Sequence, residues 1–281
     1  MIIWLASYPK SGNTWLRSLL SAYFFSKDGE FNFELLKNID QFPSVKYFKD
    51  DHDLYVKPHS TSEKWLIKQA EINKDKKIKL FKTHNALCKI DNNKFTDNKN
   101  TLAAIYILRD PRNVISSLAN HYQINKEEAF NFMINEKKTI HEKIENRYLG
   151  FSPLLSWNQH VDSWVENKIF PVLTIKYEDL QSETFLTLKK VINFLKVISR
   201  SKISFNREKA KRSIQSCDFK KLKNLEDKKG FFESMIKKDG SGRVKFFNLG
   251  KENDYKKLLD PKQIDSINEL FRDKLKKFNY D

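Results

Sequence analysis

Lys10, Ser11 and Thr14 surround Gly12 in Ser7-Tyr8-Pro9-Lys10-Ser11-Gly12-Asn13-Thr14-Trp15, a turn between the apolar run Ile2-Ile3-Trp4-Leu5 and the helix-like Leu16-Arg17-Ser18-Leu19-Leu20. Backbone N–H groups at such a turn, and the positive end of the helix behind them, point at whatever sits there. Lys10 adds a charge and the two hydroxyls add donors, so the chemistry expected is anion binding. A second strand, turn and helix, Ile105–Ser117, puts Arg109 at the strand end, with Asp110 and Pro111 as N-cap and first helical residue. Ser117 follows Arg109 by about two helical turns, so both face one anion only if it lies beside the helix; the alternative is an Arg109 paired with Asp110. Between these motifs, Leu80-Phe81-Lys82-Thr83-His84-Asn85 closes another apolar run and brings Lys82 and His84 to a strand end. In an open parallel sheet ligands bind outside the carboxyl ends of the strands, so the polar ends converge on one crevice. An imidazole with the ordinary pKa of about 6.5 suits proton removal from a hydroxyl there. The other histidines, His52, His59, His121, His141 and His160, read as surface or packing residues.

The order of residues in the first turn discriminates between phosphate chemistries. A nucleotide-triphosphate loop places Lys after its final Gly and holds Mg²⁺ with the next hydroxyl; here Lys10 precedes Gly12, against an ordinary ATPase or GTPase. Tyr8-Pro9-Lys10-Ser11-Gly12-Asn13-Thr14-Trp15 resembles instead the 5′-phosphosulfate loop of sulfotransferases that use 3′-phosphoadenosine 5′-phosphosulfate (PAPS). The segment around Arg109 and Ser117 resembles the 3′-phosphate site of that family, and Lys82-Thr83-His84 resembles the stretch bearing its catalytic base. The resemblance implies a sulfuryl group moved from PAPS to a hydroxyl or amine by in-line displacement, with His84 taking the acceptor's proton. Lys10 and Lys82 would neutralise the departing bridging oxygen.

It also implies that Lys10, Ser11, Gly12, Asn13 and Thr14 hold the 5′ side of the donor, that Trp15 and Phe219 sandwich its adenine, and that Tyr177 lies near the base. Cys217 stands where the family often has Thr. At the C-terminal phosphate loop the family shows Arg-Lys-Gly followed by Gly-Asp-Trp, whereas this chain reads Asn248-Leu249-Gly250-Lys251-Glu252-Asn253-Asp254-Tyr255. Gly250 keeps register and both cations are missing. Either Arg243, Lys245 or Lys251 supplies the charge from a shifted position, with the nearby Arg243-Val244-Lys245 favoured, or the 3′-phosphate is held less tightly. The implied donor is PAPS, its product adenosine 3′,5′-bisphosphate (PAP), with no metal, and the acceptor a small molecule, glycan or lipid. A P-loop phosphoryl transferase and a nucleotide-binding protein without transferase activity remain the alternatives; both share the phosphate motifs, and His84 argues against the second.

The elements that must position these groups are strand-like runs with helices between them. They argue for an α/β chain, and the resemblance implies a P-loop NTPase-like three-layer fold, a central parallel sheet flanked by helices, in a single sulfotransferase domain over residues 1–281. Helices are expected at Thr14–Phe25, Pro111–Gln123, Pro153–Asn167, Glu183–Phe194 and Pro261–Phe278. Asp28–Asp75 and Lys220–Lys251 show poorer periodicity, as acceptor-binding loops and lids beside a cleft do. The two cysteines, Cys88 and Cys217, have neither disulfide-framework nor zinc spacing, which fits a reducing compartment. The phosphate motif begins where a signal peptide would still be running, and no run approaches the roughly twenty apolar residues of a membrane span, so a cytoplasmic location is expected, unlike that of membrane-anchored carbohydrate sulfotransferases. The chain carries 52 basic and 36 acidic residues, a net charge of +16. Its lysines are spread along solvated faces without the aromatic alternation of a nucleic-acid module, so nucleic acid is not expected as a partner. The C-terminal motif through which some relatives dimerise is not recognisable.

Overall fold

The computed structural model describes residues 1–49, 57, 59–144 and 147–280, which leaves His52 and part of the Asp28–Asp75 segment outside the described residues. The strands are β1 (Ile2–Ser7), β2 (Asp40–Gln41), β3 (Lys79–Thr83), β4 (Lys89–Ile90), β5 (Asn93–Lys94), β6 (Thr101–Leu108), β7 (Thr139–Ile144), β8 (Arg147–Pro153) and β9 (Val172–Lys176). Five of them form one sheet in the order β2-β3-β1-β6-β9, and all of its pairings are parallel. Such a sheet is covered on both faces, which is why β1 and β6 read as continuous apolar runs rather than alternating ones.

The helices are α1 (Asn13–Phe25), α2 (Trp65–Ile72), α3 (Pro111–Tyr122), α4 (Lys126–Ile134), α5 (Trp157–Val165), α6 (Tyr177–Ser182), α7 (Thr184–Ile198), α8 (Arg207–Ser216), α9 (Phe219–Lys229), α10 (Tyr255–Leu258), α11 (Pro261–Leu270) and α12 (Arg272–Lys277). Alternate residues of the sheet feed two cores. Ile2, Trp4, Tyr106 and Leu108 pack with Trp65, Trp157, Val161 and Trp164 on one face. Ile3, Leu5, Ile105 and Ile107 pack with Leu16, Leu19 and Leu20 of α1 and Leu188, Val191 and Ile192 of α7 on the other. The three-layer α/β architecture agrees with the expected fold.

Local differences have identifiable causes. Pro153, an expected helix start, ends β8 opposite Thr139, and the helix begins at Trp157 because Ser156 and Gln159 form a reciprocal capping box. The C-terminal helix breaks at Phe271, whose ring is buried against Trp157 at 5.0 Å between centroids. The start of the Lys220–Lys251 segment, expected to show poorer periodicity, belongs to the regular α9: its inward positions are Leu222 and Glu226, and a carboxylate on the inner face hides the apolar period. Glu226 accepts from Ser234 Oγ and from the Phe246 and Phe247 amides, so a buried acid anchors the segment that follows α9.

Candidate active site

β1, β3, β6 and β9 end side by side, and a cleft of about 870 Å³ opens beyond them. At the end of β1 the chain turns through Lys10 at φ 65° and Gly12 at φ 100°, both left-handed, and no side chain caps α1. The amides of its first turn are thus presented to the cleft. A Cβ on Gly12 would stand 2.4 Å from the Tyr177 ring, so glycine serves both the dihedral and the close approach of that aromatic. Asn13 turns its amide inward, donating to the Leu5 carbonyl at 2.8 Å and to Ser7 Oγ at 3.2 Å, which leaves its backbone for the cleft. Ser11 Oγ is buried with no hydrogen-bond partner among the described residues. Lys10 lays its ammonium 3.6 Å from the centre of the Phe246 ring. Burial lowers its pKa to about 7, with Lys82 and Arg109 pushing the same way and Glu233 and Glu226 opposing.

Arg109, buried at the end of β6, donates from Nη1 to the Lys10 carbonyl at 3.0 Å and to Ser117 Oγ at 3.3 Å, and its guanidinium lies 4.2 Å from the centre of the Tyr177 ring. Its Nε has no hydrogen-bond partner among the described residues. The Asp110 carboxylate belongs instead to Arg112, so the local pairing alternative for Arg109 is not what the fold adopts. Asn253 completes the cluster: its Nδ2 donates to Ser117 Oγ and to the Asn113 carbonyl, each at 2.9 Å.

The cleft is also lined by Trp15, Phe219, Tyr177, Asn248, Leu249, Gly250 and Lys251. Trp15 Nε1 donates to the Cys217 carbonyl at 3.0 Å, and Trp15 meets Tyr177 edge-on at 5.8 Å. Tyr177 therefore packs between Gly12, Trp15 and Arg109. Gly250 sits at φ 57°, where a Cβ would lie 2.6 Å from the Phe219 ring.

Two expectations are corrected here. The Cys217 side chain is fully buried in the core behind α1, burial pushes its thiol pKa up, and only its backbone carbonyl reaches the site's aromatics. Arg243 is exposed and donates from Nη1 to the Ser234 carbonyl at 2.5 Å, bracing a turn rather than lining the cleft; Lys245 pairs with Asp227. Of the three cations considered for the C-terminal loop, Lys251 is the one that lines the cleft.

His84 follows β3, half-buried. Its Nδ1 lies 2.8 Å from the Ser7 carbonyl. A carbonyl only accepts, so Nδ1 carries the hydrogen and Nε2 keeps the lone pair. His160 is buried; its Nε2–H donates to the His84 carbonyl at 3.1 Å while its Nδ1 accepts from Tyr106 OH at 2.9 Å. His160 is thus a positioning residue for the His84 backbone. Burial, reinforced by Lys82 and opposed by the Ser7 carbonyl and Glu233, holds the His84 pKa well below 6.5, lower than the ordinary value expected of it.

Three further cleft residues, His121, Glu233 and Arg17, had no motif of their own. His121, read as a surface or packing residue, lines the cleft beside the Phe246 ring, and burial lowers its pKa to about 3. Glu233 accepts from Thr14 Oγ1 at 2.9 Å and from Arg17 Nη1 at 2.5 Å, and lies 3.1 Å from Lys82 Nζ. Burial alone would raise its pKa, but Lys82 and Arg17 outweigh that and hold the carboxyl well below the usual range. The separation of Arg17 from Glu233 by 216 positions explains why no local pattern announced the pair.

A family model described as a sulfotransferase domain matches residues 2–279. The chain belongs to the sulfotransferase domain family. It is accordingly an enzyme of sulfuryl transfer. The sulfotransferase is similar to "Cytosolic sulfotransferase 16" of Arabidopsis thaliana, 24% identical over 279 residues, covering 97% of this chain and 75% of that protein. It is similar to "Flavonol 3-sulfotransferase" of Flaveria bidentis at 25% identity over 282 residues, 97% of this chain and 81% of that one. In fold it matches a crystal structure of retinol dehydratase in complex with androsterone and inactive cofactor PAP, with a TM-score of 0.62 and 18% identity over 98% of this chain and 80% of that one. No helix among the described residues of the sulfotransferase is long and apolar enough to cross a membrane.

Proposed function

We propose that this chain, as a single domain, moves a sulfuryl group from PAPS to a hydroxyl or amine of a small-molecule acceptor, with His84 as general base. The observation that carries this reading is the Nδ1–H bond from His84 to the Ser7 carbonyl, which leaves Nε2 as the accepting nitrogen in the cleft that holds the phosphate turn. The donor set suits a nucleotide with two anionic ends. Ser11 Oγ and Arg109 Nε are buried donors without partners among the described residues. Lys10, Ser11, Thr14 and the amides of Gly12 and Asn13 serve the 5′ side; Arg109, Ser117, Asn253 and Lys251 serve the 3′-phosphate; Trp15, Phe219 and Tyr177 enclose the adenine. When bound, PAPS supplies an activated sulfuryl group and leaves as PAP. Lys82 and Lys10 then offset negative charge beside the transferred group, and His84 Nε2 holds the proton taken from the acceptor.

Relatives named for a flavonol and for an amine support a small-molecule acceptor, and relatives named cytosolic support a cytoplasmic location. Incubating the protein with PAPS and a set of phenols, aliphatic alcohols and amines, and reading products by mass spectrometry, tests the reaction. His84→Ala is expected to lower turnover on an aliphatic alcohol by about 10²–10⁴-fold while PAP affinity stays within about twofold. Turnover close to that of the unaltered protein would remove His84 from the reaction. Only the neutral imidazole accepts a proton, and its pKa lies well below 6.5. Activity limited by His84 is therefore level from pH 6.5 upward and falls only on the acid side.

A further inference from the structure

Glu233 is the one carboxylate in contact with the side chains assigned above to the donor's 5′ side, among the described residues. Its Oε2 takes the Thr14 hydroxyl at 2.9 Å, and its Oε1 lies 3.1 Å from Lys82 Nζ and 2.5 Å from Arg17 Nη1. The ion pairs are shielded, with side-chain exposures of 7% for Lys82, 3% for Arg17 and 14% for Glu233. A carboxylate gathering a loop hydroxyl and two cations makes the contacts that a bound oxyanion would make there. The two anions cannot share the Thr14 hydroxyl, which has one hydrogen to donate, and their charges repel at this range.

Glu233 is also the point at which the chain from Phe231 to Phe247 is tied down across the cleft. On one side that segment hangs from Glu226 through Ser234, Phe246 and Phe247. On the other, Asn120 of α3 and Gln123 just after it donate to the Lys245 and Ile236 carbonyls. Among the described residues, the phosphate turn also meets this segment where the Lys10 ammonium lies over the Phe246 ring, but the hydrogen-bonded tie to the α1 start and β3 is the Glu233 carboxylate on Thr14 and Lys82.

We propose that Glu233 is an internal stand-in for the donor's 5′ anion, exchanged for it when nucleotide binds. This rests on the donor assignment made above. In the nucleotide-free protein the carboxylate neutralises Lys82 and Arg17 and pins the Phe231–Phe247 segment over the turn. Binding of a 5′-phosphate transfers Thr14, Lys82 and Arg17, all of which line the cleft, to the ligand and so releases the pin, while Glu226 retains the segment. The apparent affinity is then the intrinsic one reduced by the fraction of molecules in which the carboxylate has let go.

The test compares adenosine 5′-phosphate, adenosine 3′-phosphate and PAP by calorimetry on the unaltered protein and on Glu233→Gln. Exchange predicts that the variant binds adenosine 5′-phosphate and PAP about tenfold more tightly and adenosine 3′-phosphate unchanged. Tightening of all three ligands alike would mean a general charge effect, and no tightening would mean that the carboxylate and the phosphate coexist; either overturns the proposal. If PAP fails to bind the unaltered protein, the donor assignment itself falls. A second measurement needs no variant. Pyrophosphate, two linked anions without a nucleoside, is expected to speed amide exchange in residues 231–236 of the unaltered protein. Exchange that stays the same or slows overturns the proposal even if Glu233→Gln does not fold.

Discussion

Arg109→Ala separates the two ends of the nucleotide. Arg109 Nη1 is bound to Ser117 Oγ and the Lys10 carbonyl, and its Nε has no partner among the described residues, so the guanidinium is held in place with donor capacity to spare. A charge-assisted hydrogen bond contributes about 1.5–3 kcal/mol net, equivalent to about tenfold to 150-fold in affinity. PAP should weaken by that factor on substitution, and adenosine 5′-phosphate, which lacks the 3′ group, should change by less than about threefold. The lost side chain also leaves the Tyr177 face and the Lys10 carbonyl without their cation, at a cost to the fold of about 1–3 kcal/mol. Circular dichroism should therefore show a lowered melting temperature with an unchanged folded spectrum, and calorimetry at 25 °C on the folded variant gives the two affinities. Equal losses for the two ligands would refute the assignment of Arg109 to the 3′-phosphate and mark it as a brace for Tyr177 and the Lys10 turn.

The C-terminal loop gives a paired test. Lys251→Ala should weaken PAP by roughly threefold to fivefold, the share of an exposed ammonium, and leave adenosine 5′-phosphate unaffected, whereas Arg243→Ala should change neither, because its guanidinium is engaged with Ser234. The reverse pattern in calorimetry would restore Arg243 to the site. The pH dependence of binding follows from Lys10. With its pKa lowered to about 7, it sheds its proton as pH rises through 7, and an anion beside it favours the charged form. PAP affinity should therefore fall between pH 7 and 9 with uptake of a proton on binding, readable as a buffer-dependent heat, and Lys10→Met should abolish both effects.

What was legible in the sequence was contiguous. The phosphate turn, the Arg109 to Ser117 unit and Lys82-Thr83-His84 each lie within one strand end and its turn, where chain order and spatial order coincide. Glu233, Asn253 and His160 were illegible because each acts through partners brought by a different element: Glu233 through α1 and β3, Asn253 through α3, His160 through the backbone after β3. Cys217 misled for another reason. Correspondence along the chain gives a position, and whether a side chain there faces the cleft or the core depends on the turn of α8 into α9. Arg243 misled by nearness in sequence, since its turn carries it back onto Ser234. α9 was hidden by Glu226, whose carboxylate serves three donors where an apolar residue would have marked the helix face.

Gly12 and Gly250 have a consequence for altering this enzyme. Each lies in a left-handed conformation directly behind an aromatic ring, Tyr177 in one case and Phe219 in the other. The rings rest on main chain, and main chain has no rotamers with which to give way. The spacing between these walls is therefore set by backbone dihedrals, and side-chain changes behind the rings can only push them inward. On the proposed donor assignment, a redesign meant to admit a bulkier base must shorten Tyr177 or Phe219 themselves; one meant to admit a smaller ring can leave both and build from Trp15.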